Sequence, residues 1–247
     1  MPRLLKPMCV AMLAWGIFSS ATQAEEQASP APEGYKLVYD QPFETDDVLN
    51  QFVFSDPAAW KLAKTGDRSA LDLFQQSKYS PQHRSPVNIA LLNGPHVGDF
   101  VLEVEMQQTG KEYGHRDMCL YFGFQDPNHF YYVHIATKTD AHAHNIFIVN
   151  DAARLKISEK TTAGFDWGKP DTWHTVRLVR EASTGKIEVT IDKGTEPIMT
   201  ATDKTFGAGW LGFGSFDDTG LVDDIRLWAL DGQEKEVPFF KPAMVKE

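Results

Sequence analysis

HRDMCLYFGFQDPNHFYYVHIATKTDAHAHNIFIVN, residues 115–150, holds five of the chain's eight histidines and almost nothing that favours a helix. Leu120 and Phe122 alternate with Cys119 and Tyr121, and Tyr131, Val133 and Ile135 alternate with Tyr132 and His134. A period of two is the signature of a strand, with side chains pointing to opposite faces in turn. Gln125-Asp126-Pro127-Asn128 between the two runs supplies turn chemistry, so the strands are expected to be neighbours. One face is apolar; the other carries His115, Asp117, Cys119, Tyr121, Tyr132 and His134. A polar and aromatic face of this kind suits sugars, because rings stack on pyranoses while polar tips bond hydroxyls.

Working outward, Phe100, Leu102, Val104 and Met106 alternate with Val101, Glu103, Glu105 and Gln107. Val176/Leu178 and Ile187/Val189/Ile191 repeat the pattern, and turns are expected at Lys64-Thr65-Gly66-Asp67 and Ser183-Thr184-Gly185-Lys186. About a dozen short strands without helix–strand alternation predict an all-β chain. The expected fold is one antiparallel β-sandwich over residues 35–235, followed by a C-terminal tail over 236–247.

The N-terminus reads as a secretory signal peptide over residues 1–24. Arg3 and Lys6 precede an apolar stretch from Met8 to Phe18, too short to span a bilayer, and Thr22-Gln23-Ala24 offers a cleavage site. Residues 25–34 form a polar Pro/Ala tether. Cleavage would leave 223 of the 247 residues, one cysteine (Cys119), and a formal charge of −12 in place of −10. The expected product is secreted or periplasmic, has no intramolecular disulfide, and is not stably inserted in a membrane. Its acidity argues against nucleic acid and anionic lipid as partners and is compatible with neutral glycans or a bound cation.

Trp173-His174-Thr175-Val176-Arg177-Leu178-Val179-Arg180 is followed by a Gly185–Asp192 strand, Gly209-Trp210-Leu211-Gly212-Phe213-Gly214-Ser215, and Leu221-Val222-Asp223-Asp224-Ile225-Arg226-Leu227-Trp228. This ordered set, within residues 97–230, resembles the closing strands of concanavalin A-like jelly rolls. Its flavour is nearest to the bacterial keto-disaccharide hydrolase-like and laminin-G-like domains. The resemblance implies the jelly-roll fold but leaves activity open, because lectins, laminarinases, polysaccharide lyases and adhesion modules share it. The Glu-x-Asp-x-x-Glu strand of the laminarinase branch is not matched. Glu103-Val104-Glu105-Met106-Gln107 lacks both the Asp and the third acid, and reads as a solvated strand face. The Gln-x-His and Tyr-x-Lys-x-Gly-x-Tyr strands of the alginate-lyase branch are absent too.

Two functional readings stay open. In the first, Tyr121, Tyr132 and His134 line the concave sheet with Arg116 at its mouth, and His115, His142, His144 and Asn145 enter as further sugar contacts. His134 or Tyr132 would be the base and Arg116 would steady the oxyanion of an elimination. The keto-disaccharide resemblance implies elimination followed by hydration of an oxidised sugar. In the second reading the same face only binds glycan, as a laminin-G-like module does, and some of the histidines are ordinary hydrogen-bonded groups.

Cations enter at two places. His142 and His144, spaced i and i+2, could hold a transition metal with His134 or Asp140. Asp223 shares parity with Leu221, Ile225 and Leu227, so an inward carboxylate is expected there, needing a donor or a cation. The resemblance implies a structural calcium at Asp223, helped by Asp217, Asp218 or Asp224; backbone amides are the alternative. Trp167 in Gly164-Phe165-Asp166-Trp167-Gly168 is a candidate sugar platform, with packing as its alternative, while Trp173 and Trp210 are expected in the core.

Overall fold

The computed structural model describes residues 31–45 and 47–243. The signal peptide, tether residues 25–30 and the last four residues of the expected tail lie outside the described residues. Two nine-stranded sheets account for nearly all the regular structure, and every strand pair is antiparallel. The centre of the first sheet is His174–Glu181, Phe100–Gln108 and Gly220–Ala229, side by side. The centre of the second is His129–Ala136, Asp117–Asp126, Gly209–Ser215 and Asn88–Val97, with Asn145–Asn150 beyond His129–Ala136. Together they make the concanavalin A-like jelly roll that the strand motifs imply. Among the described residues no helix is long and apolar enough to cross a membrane.

The alternations predict the core directly. Phe100, Leu102, Val104 and Met106 of the first sheet face Leu120, Phe122, Tyr131, Val133 and Ile135 of the second in one buried inter-sheet cluster. Burying a side chain of this size contributes roughly 1.5–3 kcal/mol. The three expected turns are all present: Thr65 pairs with Arg68, Asp126 with His129, and Glu181 with Lys186.

The outer face of the second sheet is covered by the chain itself. Cys119, Tyr121, Phe124, Phe130, Tyr132, Phe147 and Trp210 form a second buried cluster against Tyr79, Val237, Phe239 and Phe240. Tyr79 belongs to the long connection before Asn88; the other three belong to the stretch expected to be a tail. Gln233–Lys235 pairs with Asn88–Val97, and Lys241–Pro242 with Phe52–Phe54, so the chain is bonded into the sandwich as far as Pro242.

The closing strand departs from strict alternation. Its register slips between Asp223 and Arg226, and Asp224 takes a positive φ of 48°. This bulge puts Val222, Ile225 and Leu227 in the core and turns Asp223 to the outer face of the first sheet. The inward Asp223 expected from simple parity is therefore corrected.

Candidate functional site

Cross-strand register assembles a polar row at one end of the second sheet. Gly214 lies opposite Cys119, Cys119 opposite His134, and His134 opposite Asn145. The next row runs Gly212, Tyr121, Tyr132, Phe147. Gly214 is required by close approach: a Cβ there would fall 1.9 Å from the Asn88 carbonyl oxygen and 3.3 Å from the Tyr121 ring. Tyr121, Tyr132 and His134 thus share one face, as their parity predicts.

Their environments differ sharply. Tyr121 is fully buried and its hydroxyl donates to the Asn88 carbonyl at 2.8 Å, which makes it a packing residue instead of the expected sugar contact. Tyr132 is equally buried, stacks on Phe147 at 5.1 Å, and its hydroxyl has no partner. Burial holds that phenol well above its ordinary pKa. His134 accepts the His144 backbone N–H at Nδ1, 3.2 Å away, so its proton sits on Nε2. That Nε2 lies 3.2 Å from Asp117 Oδ2 but outside hydrogen-bond geometry, and has no other partner.

Asp117 lies behind these groups and is fully buried. Its Oδ2 accepts the Phe216 N–H at 2.8 Å and the Cys119 thiol at 3.2 Å, while its Oδ1 is bare. Burial, and then the Asp117 charge, push the Cys119 thiol far up, so it is an inert donor. Asn145 anchors the neighbouring loop by donating to the Asp140 and Ala143 carbonyls at 2.8 Å each, which leaves its buried Oδ1 unpartnered.

A basic and aromatic rim closes over this end. The Arg154 guanidinium sits 4.1 Å from the Phe216 ring centre and 5.4 Å from that of Phe147. Its Nη2 donates to the His142 carbonyl, and its Nε and Nη1 are buried without partners. Arg84 also lies over Phe216, at 5.8 Å. Beside the rim, residues 109–113 and 217–219 border an open depression of about 580 Å³. Asp218 lies in it, accepting the Tyr113 hydroxyl at 2.8 Å and the Asp117 N–H at 3.0 Å. Burial and the adjacent Asp117 push its carboxyl up to about 7.

The remaining expected residues lie elsewhere. Arg116 is buried and donates to the Gly168 carbonyl at 3.3 Å, beside Trp167 of the inter-sheet core, so it does not converge with His134. Trp167 is 1 % exposed, with Phe165 at 5.1 Å and His174 at 5.8 Å, and cannot serve as a sugar platform. Trp210 is buried as expected, but in the outer cluster, whereas Trp173 is only half-buried, with Arg68 over its ring at 4.4 Å.

Exposed His115 and the His142 backbone N–H both bond Asp140, whose carbonyl accepts Asn145, and the His142 carbonyl accepts Arg154. Both nitrogens of His144 are used, Nδ1 by the Ala136 N–H and Nε2 by Thr162 Oγ1, and burial pushes its pKa down to about 4. The His142/His144 metal pair is corrected accordingly, since His144 has no lone pair to offer. Asp223 meets the Arg68 Nε at 2.6 Å and the Asp224 N–H at 2.7 Å, so its cation is a guanidinium.

Arg154 and Phe216 escaped sequence reasoning, and Asp117 was placed on the polar face but given no role there. Asp117 was visible on the strand as a third polar residue in parity with Tyr121. Nothing local signals that Arg154 and Phe216 fold over it.

These features define a concanavalin A-like jelly roll with an unsatisfied polar end on one sheet. The chain is similar to the carbohydrate binding module CBM66 from Bacillus subtilis, at 15% identity over 71% of this chain and 94% of that one, with a TM-score of 0.50. It is also similar to a Bacillus subtilis protein of unknown function with a galectin-like fold, at 10% identity over 82% and 100%, with a TM-score of 0.53. No family model matches the chain, and no curated protein does.

Proposed function

We propose that this chain is a non-catalytic glycan-binding module whose ligand is held by Tyr132, His134, Asn145 and Arg154. One observation carries the reading: polar atoms of all four are buried at one end of one sheet without a protein hydrogen bond, although His134 Nε2 lies 3.2 Å from the Asp117 carboxylate. Native proteins rarely leave such groups bare, so several together call for a ligand. The set mixes donors (His134 Nε2–H, Arg154 N–H), an acceptor (Asn145 Oδ1) and a hydroxyl that does both. Sugar hydroxyls also donate and accept, and the half-buried Phe216 ring adds an apolar face for the C–H side of a pyranose. A carbohydrate binding module among the solved structures of the same fold supports the reading. The leader-like residues 1–24 support a site of action outside the cytoplasm.

Elimination is less well supported. Nδ1 of His134 is engaged and Nε2 carries the proton, the Tyr132 phenol resists ionisation, and Arg116 faces away. No group in the row is a free base, and the expected oxyanion clamp is missing.

Calorimetric titration of neutral and uronic oligosaccharides into the chain, with Tyr132→Phe alongside, tests the proposal. Saturable binding that weakens roughly tenfold in Tyr132→Phe, the cost of one lost buried hydrogen bond, is expected. Binding that Tyr132→Phe leaves untouched would rule out this site, and cleaved or dehydrated sugar in the cell would reinstate the enzyme.

A further inference from the structure

Three carboxylates meet where the 109–113 loop faces the 216–219 loop. Oxygens of Asp117, Asp217 and Asp218 lie within 4.8 Å of one another. Among the described residues none of the three is ion-paired to Lys or Arg; the near neighbour of Asp117 is His134. Two further observations separate this cluster from an ordinary acidic surface. Asp117 is 0 % exposed, yet its Oδ1 has no hydrogen-bond partner. Gln108, 3 % exposed, has both ends of its amide unpartnered.

Gln108 is aimed at the same place. A Cβ added to Gly110 would stand 2.9 Å from Gln108 Nε2 and 2.9 Å from Asp218 Oδ1, so the amide and the carboxylate flank one bare backbone position. The two ends of a glutamine amide exchange by a flip, which turns Oε1 towards the acids.

We propose that Asp117, Asp217, Asp218 and the Gln108 amide oxygen bind a hard divalent cation, calcium. The donors are all oxygen, which suits calcium or magnesium over zinc or copper. Calcium takes six to eight oxygens in irregular geometry, so water from the open depression can complete a one-sided shell. Magnesium demands a near-ideal octahedron that four clustered donors do not impose. A thiophilic ion on the other side of Asp117, using Cys119 and His134, is disfavoured because His134 Nε2 holds a proton. The cation would neutralise three close anions and answer both orphaned groups. It stands independently of glycan binding.

Calorimetric titration of the EDTA-stripped, dialysed full chain with calcium chloride, paired with thermal melts, provides the test. One saturable site and a rise in Tm are expected, with a much weaker response to magnesium. Asp217 is exposed, so Asp217→Asn should fold normally while weakening calcium roughly tenfold or more through the lost ligand charge. Gln108→Leu should weaken it as well, and Asp224→Asn, at the Arg68 end, should leave it unchanged. No heat and no Tm change in millimolar calcium would overturn the proposal. So would an affinity that survives both Asp217→Asn and Gln108→Leu, or one lost in Asp224→Asn.

Discussion

The outer faces of the two sheets are built from the same alternating pattern and have opposite fates. On the three central strands of the first sheet each acid is answered. Glu103 accepts Arg177 at 2.8 Å, Glu105 accepts Arg68 at 3.1 Å and Thr175 at 2.9 Å, and Asp223 accepts Arg68 at 2.6 Å. On the second sheet the chain folds over its own strand face. Phe124 stacks on Phe130 at 4.5 Å and on Phe239 at 5.7 Å, while Asp117, Tyr132, His134 and Asn145 keep bare polar atoms at the end where that cover stops. Alternation assigns side chains to faces, but coverage decides whether a polar group meets water, a partner or nothing. A paired surface explains itself; a cluster of buried unpaired groups points to something the protein binds.

The contrast is sharpest in stability. Phe124→Ala should cost about 3–5 kcal/mol in denaturant unfolding, as for a phenylalanine in any core. Glu103→Ala on the first sheet should cost no more than about 1 kcal/mol, because its ion pair is partly solvated. Equal losses would erase the distinction between the faces.

A smaller effect comes from His144, whose folded pKa is pushed down to about 4 by burial and then by His134. The unfolded chain takes up a proton near its ordinary pKa of about 6.5 while the folded one does not. Stability is therefore full above that pH and falls as pH drops towards 4, by up to about 3 kcal/mol. Melting temperatures recorded between pH 7 and pH 4 should show the decline. His144→Asn, tolerated at the positive φ of 52°, should flatten it; an equally steep slope in that variant would assign the decline to other groups.

The finest comparison is within one row. Tyr121→Phe should lose about 1 kcal/mol, because its hydroxyl bonds the Asn88 carbonyl, whereas Tyr132→Phe should be close to neutral in the absence of ligand. If Tyr132→Phe proves as costly as Tyr121→Phe, its hydroxyl has a partner in the unliganded protein.

Much of the architecture was legible because period-two alternation is local. Phe100 to Met106, the Tyr132/His134 parity and the turns at 64–67, 125–128 and 183–186 all follow from neighbouring residues. Asp223 was misread because a single bulge shifts the faces of everything after it, and only pairing with Phe100–Gln108 reveals the slip. Trp167 and Arg116 were misread because a loop or strand end has no period, so inside and outside are decided by distant contacts.

By itself the sequence determined an all-β antiparallel jelly roll and the face that Tyr132 and His134 share, since both depend on backbone geometry that repeats every two residues. Only the tertiary structure decided what covers that face and which polar atoms stay bare. Tyr79, Arg154, Phe216 and Phe239 reach it from four separate parts of the chain, and no local pattern encodes where they meet.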